Sequence, residues 1–232
     1  MTAAVAFLVL LAGLAGWWLS GQRLMSRPWL AAGVVEETGS LARMPAAKVG
    51  LGVFLAVVGI LFSLALSAYA MRMQLADWSA PPLPTILWAN TLLILLASGG
   101  LVWAGRCVQH RQKERALDGL LAAFGLGAAF LGGQLFAWDE LAASGYRLAD
   151  NAANSFFYML TGLHGVHILG GLVALVAVTA RLWHSADATA MRLPVELCGL
   201  YWHFLALVWL VLFAVIAGWA GDVLAVCRQL LS

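Results

Sequence analysis

The sequence predicts an all-α, membrane-embedded helical bundle of about six transmembrane helices, with both termini on the outer, periplasmic side. Three observations lead there. Of 232 residues, 63% are hydrophobic and only 10% charged, with a mean hydropathy of +0.90, whereas soluble domains carry roughly 25% charged residues. Apolar stretches long enough to cross a hydrocarbon core of about 30 Å recur along the chain, each bounded by charge or turn residues. The lysines and arginines are divided unevenly among the connections between those stretches.

The spans fall near 3–19, 48–70, 85–105, 116–138, 153–181 and 197–222. The first has no Lys or Arg ahead of it, unlike the basic start of a secretory signal, and is expected to remain as a helix. The second is announced by Lys48. It is separated from the third by the turn Pro81-Pro82-Leu83-Pro84. Ten of the 13 basic residues, Arg23, Arg27, Arg43, Lys48, Arg106, Arg111, Lys113, Arg115, Arg181 and Arg192, lie in odd-numbered connections or at their mouths. Arg72, Arg147 and Arg228 lie on the other side with Asp77, Asp139, Glu140, Asp150 and Asp222. The positive-inside rule then puts the basic side in the cytoplasm. No connection is long enough for a second soluble domain, and the lack of an internal repeat argues against an inverted-repeat transporter.

Polar groups at membrane depth are costly, so each is a functional or packing candidate. The fifth span holds Thr161, His164 and His167, three apart and so along one helix face; the sixth holds Glu196 and His203, seven apart and again on one face. Imidazoles three or four apart can converge on a metal or haem. A two-haem cytochrome would need four membrane histidines, however, and only His164, His167 and His203 lie in spans, while His110 and His184 lie in charged connections. The alternatives are hydrogen bonding between helices, which Gly162, Gly165, Gly170 and Gly171 would let approach closely, or contact with lipid headgroups or protons. Asn90, Thr91 and Ser98 in the third span read as packing signals, as do Gln134 beside Gly132 and Gly133, and Gly125 with Ala129 in the fourth.

Trp17, Trp18, Trp88, Trp103, Trp138, Trp183 and Trp219 cluster near span ends as an interfacial belt, with Trp202 and Trp209 as exceptions inside the sixth span. Cys107, Cys198 and Cys227 lack metal or disulfide spacing and read as small apolar fillers. There is no phosphate-binding glycine loop, nucleophile elbow or HExxH, and nothing in the charge pattern points to nucleic acid.

The run Ser155-Phe156-Phe157-Tyr158-Met159-Leu160-Thr161-Gly162-Leu163-His164-Gly165-Val166-His167, followed by Glu196, Trp202-His203-Phe204 and Val208-Trp209-Leu210, resembles subunit III of cytochrome c oxidase. Lys48-Val49-Gly50-Leu51, Pro84, Asn90-Thr91-Leu92 and Gln134 fall in the family's order, so the resemblance covers about residues 47–222. It divides the chain into an extra N-terminal helix with its cytoplasmic connection, 1–46, and a subunit-III-like five-helix bundle, 47–232. Three positions depart from the family pattern: Val58 and Ala137 stand where glutamates are common, and Ala206 where aspartate often follows Trp-His-Phe. These departures suggest a divergent bacterial branch and argue against an essential protonatable role at those positions.

What the resemblance implies is a non-catalytic subunit of a haem-copper terminal oxidase that reduces oxygen to water in aerobic respiration with proton translocation. Such a subunit sits in the bacterial inner membrane beside the catalytic subunit I and subunit II. Haem and copper are expected in the partners and none in this chain, with phospholipid held in a cleft. By the same resemblance, His164, His167, Glu196, His203, Trp202, Asn90, Gln134 and Thr161 would stabilise the bundle, hold lipid or meet the interface, without acting in catalysis. The readings left open are a quinol oxidase or nitric-oxide-reductase homologue sharing the subunit type, and a small transporter or proton relay using His164, His167 and Glu196.

Overall fold

The computed structural model describes residues 46–185 and 187–218. The span expected at 3–19 lies outside the described residues. The chain divides into two compact units, Met1–Gly50 and Leu51–Ser232, and the bundle is formed within the second. Among the described residues there are five long helices, α1 (Ala46–Arg72), α2 (Ile86–Gln109), α3 (Lys113–Ala143), α4 (Ala152–His184) and α5 (Arg192–Ile216), with a short 3-10 turn at Ala188–Met191 before α5. All five spans they form are long and apolar enough to cross a membrane. Even the 24 residues of α2 extend about 36 Å, more than the hydrocarbon thickness.

On α1 the buried positions are Leu55, Val58, Phe62, Leu66 and Tyr69, spaced as one face of a 3.6-residue helix. The remaining faces expose Val53, Val57, Ile60, Leu61 and Leu64. Such a helix is apolar all round, a pattern suited to lipid as solvent rather than water.

Helices α2 and α3 pack closely along their length, and small residues line the seam. A Cβ on Gly119 would lie 3.0 Å from both the Ala104 Cβ and the Gly100 carbonyl oxygen. The two helices are joined by a short turn in which Arg111 takes φ 59°. The sequence reading put the small-residue packing of this region at Gly125 and Ala129; the structure moves it to Gly119, Ala123 and Gly127, which are buried, while Gly125 and Ala129 are exposed. Both sets have four-residue spacing, and only the rotation of α3 about its axis chooses between them.

The helix ends follow local chemistry. Gly145, at φ 90°, closes α3, with the Tyr146 amide donating to the Leu141 carbonyl at 2.9 Å as in a Schellman motif. The Asn151 side chain accepts from the Ala153 amide at 3.1 Å and caps the start of α4. At the other end of α4, Lys113 Nζ donates to the carbonyls of Trp183 and Ser185, each at 2.9 Å, satisfying carbonyls that a helix end leaves open. The sixth predicted span begins earlier and stops sooner than the apolar run suggests: α5 runs from Arg192 to Ile216, and Gly218 has φ 81°. A residue in that left-handed conformation cannot continue a right-handed helix.

Candidate functional site

The centre of the bundle is built on α4. His164 is fully buried and donates through Nε2 to the main-chain carbonyl of Leu205 on α5 at 3.1 Å. A carbonyl only accepts, so this bond fixes the proton on Nε2 and leaves Nδ1 as an acceptor. That Nδ1 is buried without a hydrogen-bond partner. Around the ring stand Phe62 of α1, Phe130 of α3 and Trp209 of α5, with centroids at 6.4, 5.5 and 5.2 Å. One imidazole thus joins four helices.

Thr161, one turn earlier, is also buried. Its hydroxyl accepts from Trp138 Nε1 of α3 at 3.0 Å and donates to the Phe157 carbonyl at 2.7 Å. Trp138, read from sequence as part of the interfacial belt, therefore also ties α3 to α4. One turn after His164, the half-buried His167 donates through Nδ1 to the Leu163 carbonyl of its own helix at 2.8 Å. Its ring lies 5.5 Å from Phe62, and its carbonyl accepts from the Tyr201 hydroxyl at 2.8 Å.

Trp202 is fully buried against two glycines. A Cβ on Gly127 would lie 2.5 Å from its ring, and one on Gly171 would lie 3.0 Å from Tyr201 and 3.3 Å from Trp202. Large indole and absent side chains are thus matched across α3, α4 and α5. His203 points the other way, to α2, where it shares a hydrogen bond with the Ser98 hydroxyl. Glu196 lies on the exposed side of α5, so the two residues seven apart share a face, but that face is not the one that holds His164.

Asn90 and Gln134 form a second polar centre between α2 and α3, both buried. Asn90 Nδ2 donates to Gln134 Oε1 at 3.4 Å, while Asn90 Oδ1 and Gln134 Nε2 have no hydrogen-bond partner. A Cβ on Gly133 would fall 2.0 Å from Asn90 Oδ1, so the amide oxygen sits directly over the glycine Cα, where a Cα–H can face it. Beside this pair Trp209 Nε1 donates to Thr91 Oγ1 at 3.0 Å.

The eight sequence-derived candidates therefore separate. His164, Thr161 and Trp202 join the central core, Asn90 and Gln134 make a clamp of their own, His167 faces α1, and His203 and Glu196 lie on the outer flank of α5. Missed in the sequence were the aromatic surroundings of His164, namely Phe62 and Phe130, and the role of Gly127. The four-residue spacing of Gly119, Ala123 and Gly127 was the available signal for the last. Among the described residues no three His, Cys, Asp or Glu side chains gather as a metal group. His164 and His167 each commit one ring nitrogen to a backbone carbonyl. At the three departures from the family pattern, Val58, Ala137 and Ala206 are buried apolar residues.

The fold defines the class, a multi-pass helical membrane protein in which buried polar groups among the described residues link one helix to another. Comparison with known proteins gives the family. Residues 52–221 match the family model described as cytochrome c oxidase subunit III, and the chain belongs to that family. It is similar to cytochrome c oxidase subunit 3 of Pylaiella littoralis, 31% identical over 149 residues, 64% of this chain and 52% of the relative. It is also similar to cytochrome bo(3) ubiquinol oxidase subunit 3 of Pseudomonas aeruginosa, 33% identical over 135 residues, 58% of this chain and 64% of the relative. A probable cytochrome c oxidase subunit 3 of Mycobacterium tuberculosis is 29% identical over 188 residues, 79% of this chain and 93% of the relative. The chain spans about half the length of the first of these relatives.

Proposed function

We propose that this chain is the non-catalytic third subunit of a haem-copper terminal oxidase, reducing oxygen to water in aerobic respiration with proton translocation. It would pack beside the catalytic subunit I and subunit II, which hold the haem and copper. Its location would be a bacterial inner membrane, with the basic connections in the cytoplasm and both termini outside, as the positive-inside rule requires. The observation that supports the reading is how the family's motif residues are used: His164, Thr161 and Asn90 each make a hydrogen bond to another helix of this chain, and Trp202 fills the space left by glycines on two others. Groups occupied in this way support a neighbour without reacting.

A phospholipid chain lying against α1 is part of the same proposal. Along the seam between α1 and the α4–α5 pair, Phe54 lies 6.1 Å from Tyr201, Phe62 5.5 Å from His167, and Phe204 3.7 Å from the Cβ position of Gly59. Such a seam offers an apolar wall with the Tyr201 and His167 polar edges near it.

The test is to purify the tagged full-length chain in mild detergent, identify the subunits that come with it, and record the haem spectrum and oxygen uptake. Recovery of a haem-copper subunit with oxygen consumption is expected. A chain that purifies alone and without haem would favour a transporter, and a Soret band that stayed with this subunit would overturn the assignment. The Pseudomonas aeruginosa relative is named a ubiquinol oxidase subunit, which gives a specific reason to supply both reduced cytochrome c and a quinol as donors.

A further inference from the structure

Helices α2, α3, α4 and α5 close a ring, each packed on the next and α5 back on α2. Inside it a circuit of side chains runs from helix to helix. The His164 ring of α4 lies 5.5 Å from Phe130 of α3 and 5.2 Å from Trp209 of α5. Trp209 Nε1 donates to Thr91 of α2 at 3.0 Å, next in the chain to Asn90, whose Nδ2 donates to Gln134 Oε1 at 3.4 Å. Gln134 stands one turn beyond Phe130 on α3, which closes the circuit. Three of its members carry a buried polar atom with no hydrogen-bond partner among the described residues: Asn90 Oδ1, Gln134 Nε2 and His164 Nδ1. Asn90 and His164 are 0% exposed and Gln134 3%.

We infer that one water molecule is bound inside this circuit, accepting from Gln134 Nε2 and donating to Asn90 Oδ1 and His164 Nδ1. Buried polar groups are almost always hydrogen-bonded, and lipid offers them no partner. The three atoms specify what the partner must be. Gln134 Nε2 is a donor, whereas Asn90 Oδ1 and His164 Nδ1 are acceptors, the latter because the His164 proton sits on Nε2, against the Leu205 carbonyl. One donor and two acceptors are the complement of a water's lone pair and two O–H groups, and about three bonds is the usual number for a buried water. A metal ion would meet the amide N–H, an anion would meet two acceptors, and an apolar molecule would satisfy none of the three. The Cα–H of Gly133 beneath Asn90 Oδ1 is a weak donor and leaves the second lone pair of that oxygen free. Trp202 Nε1, also without a partner, lies 3.4 Å from the Cβ position of Gly171, two turns along α4 from His164, and belongs to a different place. The water joins the Asn90–Gln134 clamp of α2 and α3 to the His164 joint of α4 and α5. The inference concerns this chain's own interior and does not depend on the oxidase-subunit reading.

The direct test is a structure of the full-length chain, purified with whatever subunits accompany it, at a resolution that shows ordered water. A solvent peak within about 3.2 Å of all three atoms is expected. Direct bonds among the three atoms, or no peak that touches both Gln134 and His164, would overturn the site. A double-mutant cycle tests it a second way. Gln134→Met removes the donor at similar length, and His164→Gln keeps an N–H for the Leu205 carbonyl while removing the Nδ1 acceptor. Through a shared water the two changes are coupled. The unfolding constant of the double variant in detergent is expected to fall below the product of the two single effects by roughly threefold or more. Single effects that simply multiply would show that nothing bridges the two residues. If either variant fails to fold, the solvent peak in the unsubstituted chain decides.

Discussion

His164 on α4 donates its Nε2 proton to the Leu205 carbonyl on α5 at 3.1 Å, and the ring that does so has no solvent exposure at all. The bond crosses from one helix to another between residues 41 apart in sequence. It makes His164 a joint of the bundle, and its removal separates two contributions. His164→Phe keeps an aromatic ring between Phe62, Phe130 and Trp209 and loses only the hydrogen bond, about 1 kcal/mol. His164→Ala also leaves a cavity and should cost about 2–4 kcal/mol more. Denaturant unfolding in detergent should rank the unsubstituted chain, Phe and Ala in that order. In the assembled oxidase the initial rate should stay largely intact while its lifetime shortens; immediate loss of activity would contradict a supporting role.

Gly133→Ala places a Cβ 2.0 Å from Asn90 Oδ1, a distance no real Cβ tolerates. Asn90 must leave Gln134, and a loss of about 1–3 kcal/mol is expected from overpacking at a tight seam. Asn90→Ala removes the obstructing amide, so the double variant should be less destabilised than the sum of the two single changes. Additivity in that cycle would show that the two residues do not meet.

Three glycines of α3 and α4 should respond in opposite directions to the same substitution. Gly127→Ala and Gly171→Ala press on Trp202 and Tyr201 and should destabilise, the first more because its Cβ would lie 2.5 Å from the indole. Gly132→Ala meets nothing within 4 Å and should be neutral or stabilising by up to about 1 kcal/mol, the helix-propensity gain. Thermal unfolding of the three variants in one detergent checks the order.

Thr91 and Trp209 share the bond from the indole Nε1 at 3.0 Å. Trp209→Phe and Thr91→Val should each cost roughly 0.5–2 kcal/mol, the range for interhelical hydrogen bonds in membranes, and should not add when combined. The double-mutant cycle gives the coupling directly.

Outside the spans, Asp77 is held below the ordinary carboxylate range by its hydrogen bond from Arg72 at 2.6 Å and by that cation's charge. A depressed folded-state value means that the contribution is present above the unfolded value of about 3.9 and is lost as pH falls through the folded one. Both groups are at the surface, so the effect is small and screened by salt. The stability difference between the unsubstituted chain and Asp77→Asn should therefore shrink below about pH 4, as followed by thermal melts across that range. A difference that persists unchanged there would rule out the pair as its source.

Much of the fold was legible because its signals are local. Apolar length placed the spans that became α1 to α5, while the helices themselves run on into the charged connections, α3 and α5 beginning at Lys113 and Arg192 and α4 ending at His184. The sixth span's end was not legible, since the apolar run continues past Gly218 and only its positive φ stops the helix. For the candidate site, spacing put His164 and His167 on one face of α4, yet one is wholly buried and the other half-buried. Burial depends on which neighbours cover each side of the helix, and nothing within α4 encodes that.

The sequence by itself determined that this chain lives in a membrane, how often it crosses the described region, which family it resembles and which few polar residues had to find partners in a solvent that offers none. Only the tertiary structure decided the partners: Leu205 for His164, Trp138 for Thr161, Ser98 for His203, Gln134 for Asn90. The reason is physical. Hydropathy and helical period are properties of one segment, whereas a hydrogen bond between helices depends on the rotation and register of both. Those are set by which glycines, such as Gly119, Gly127 and Gly171, let one helix lie close against another.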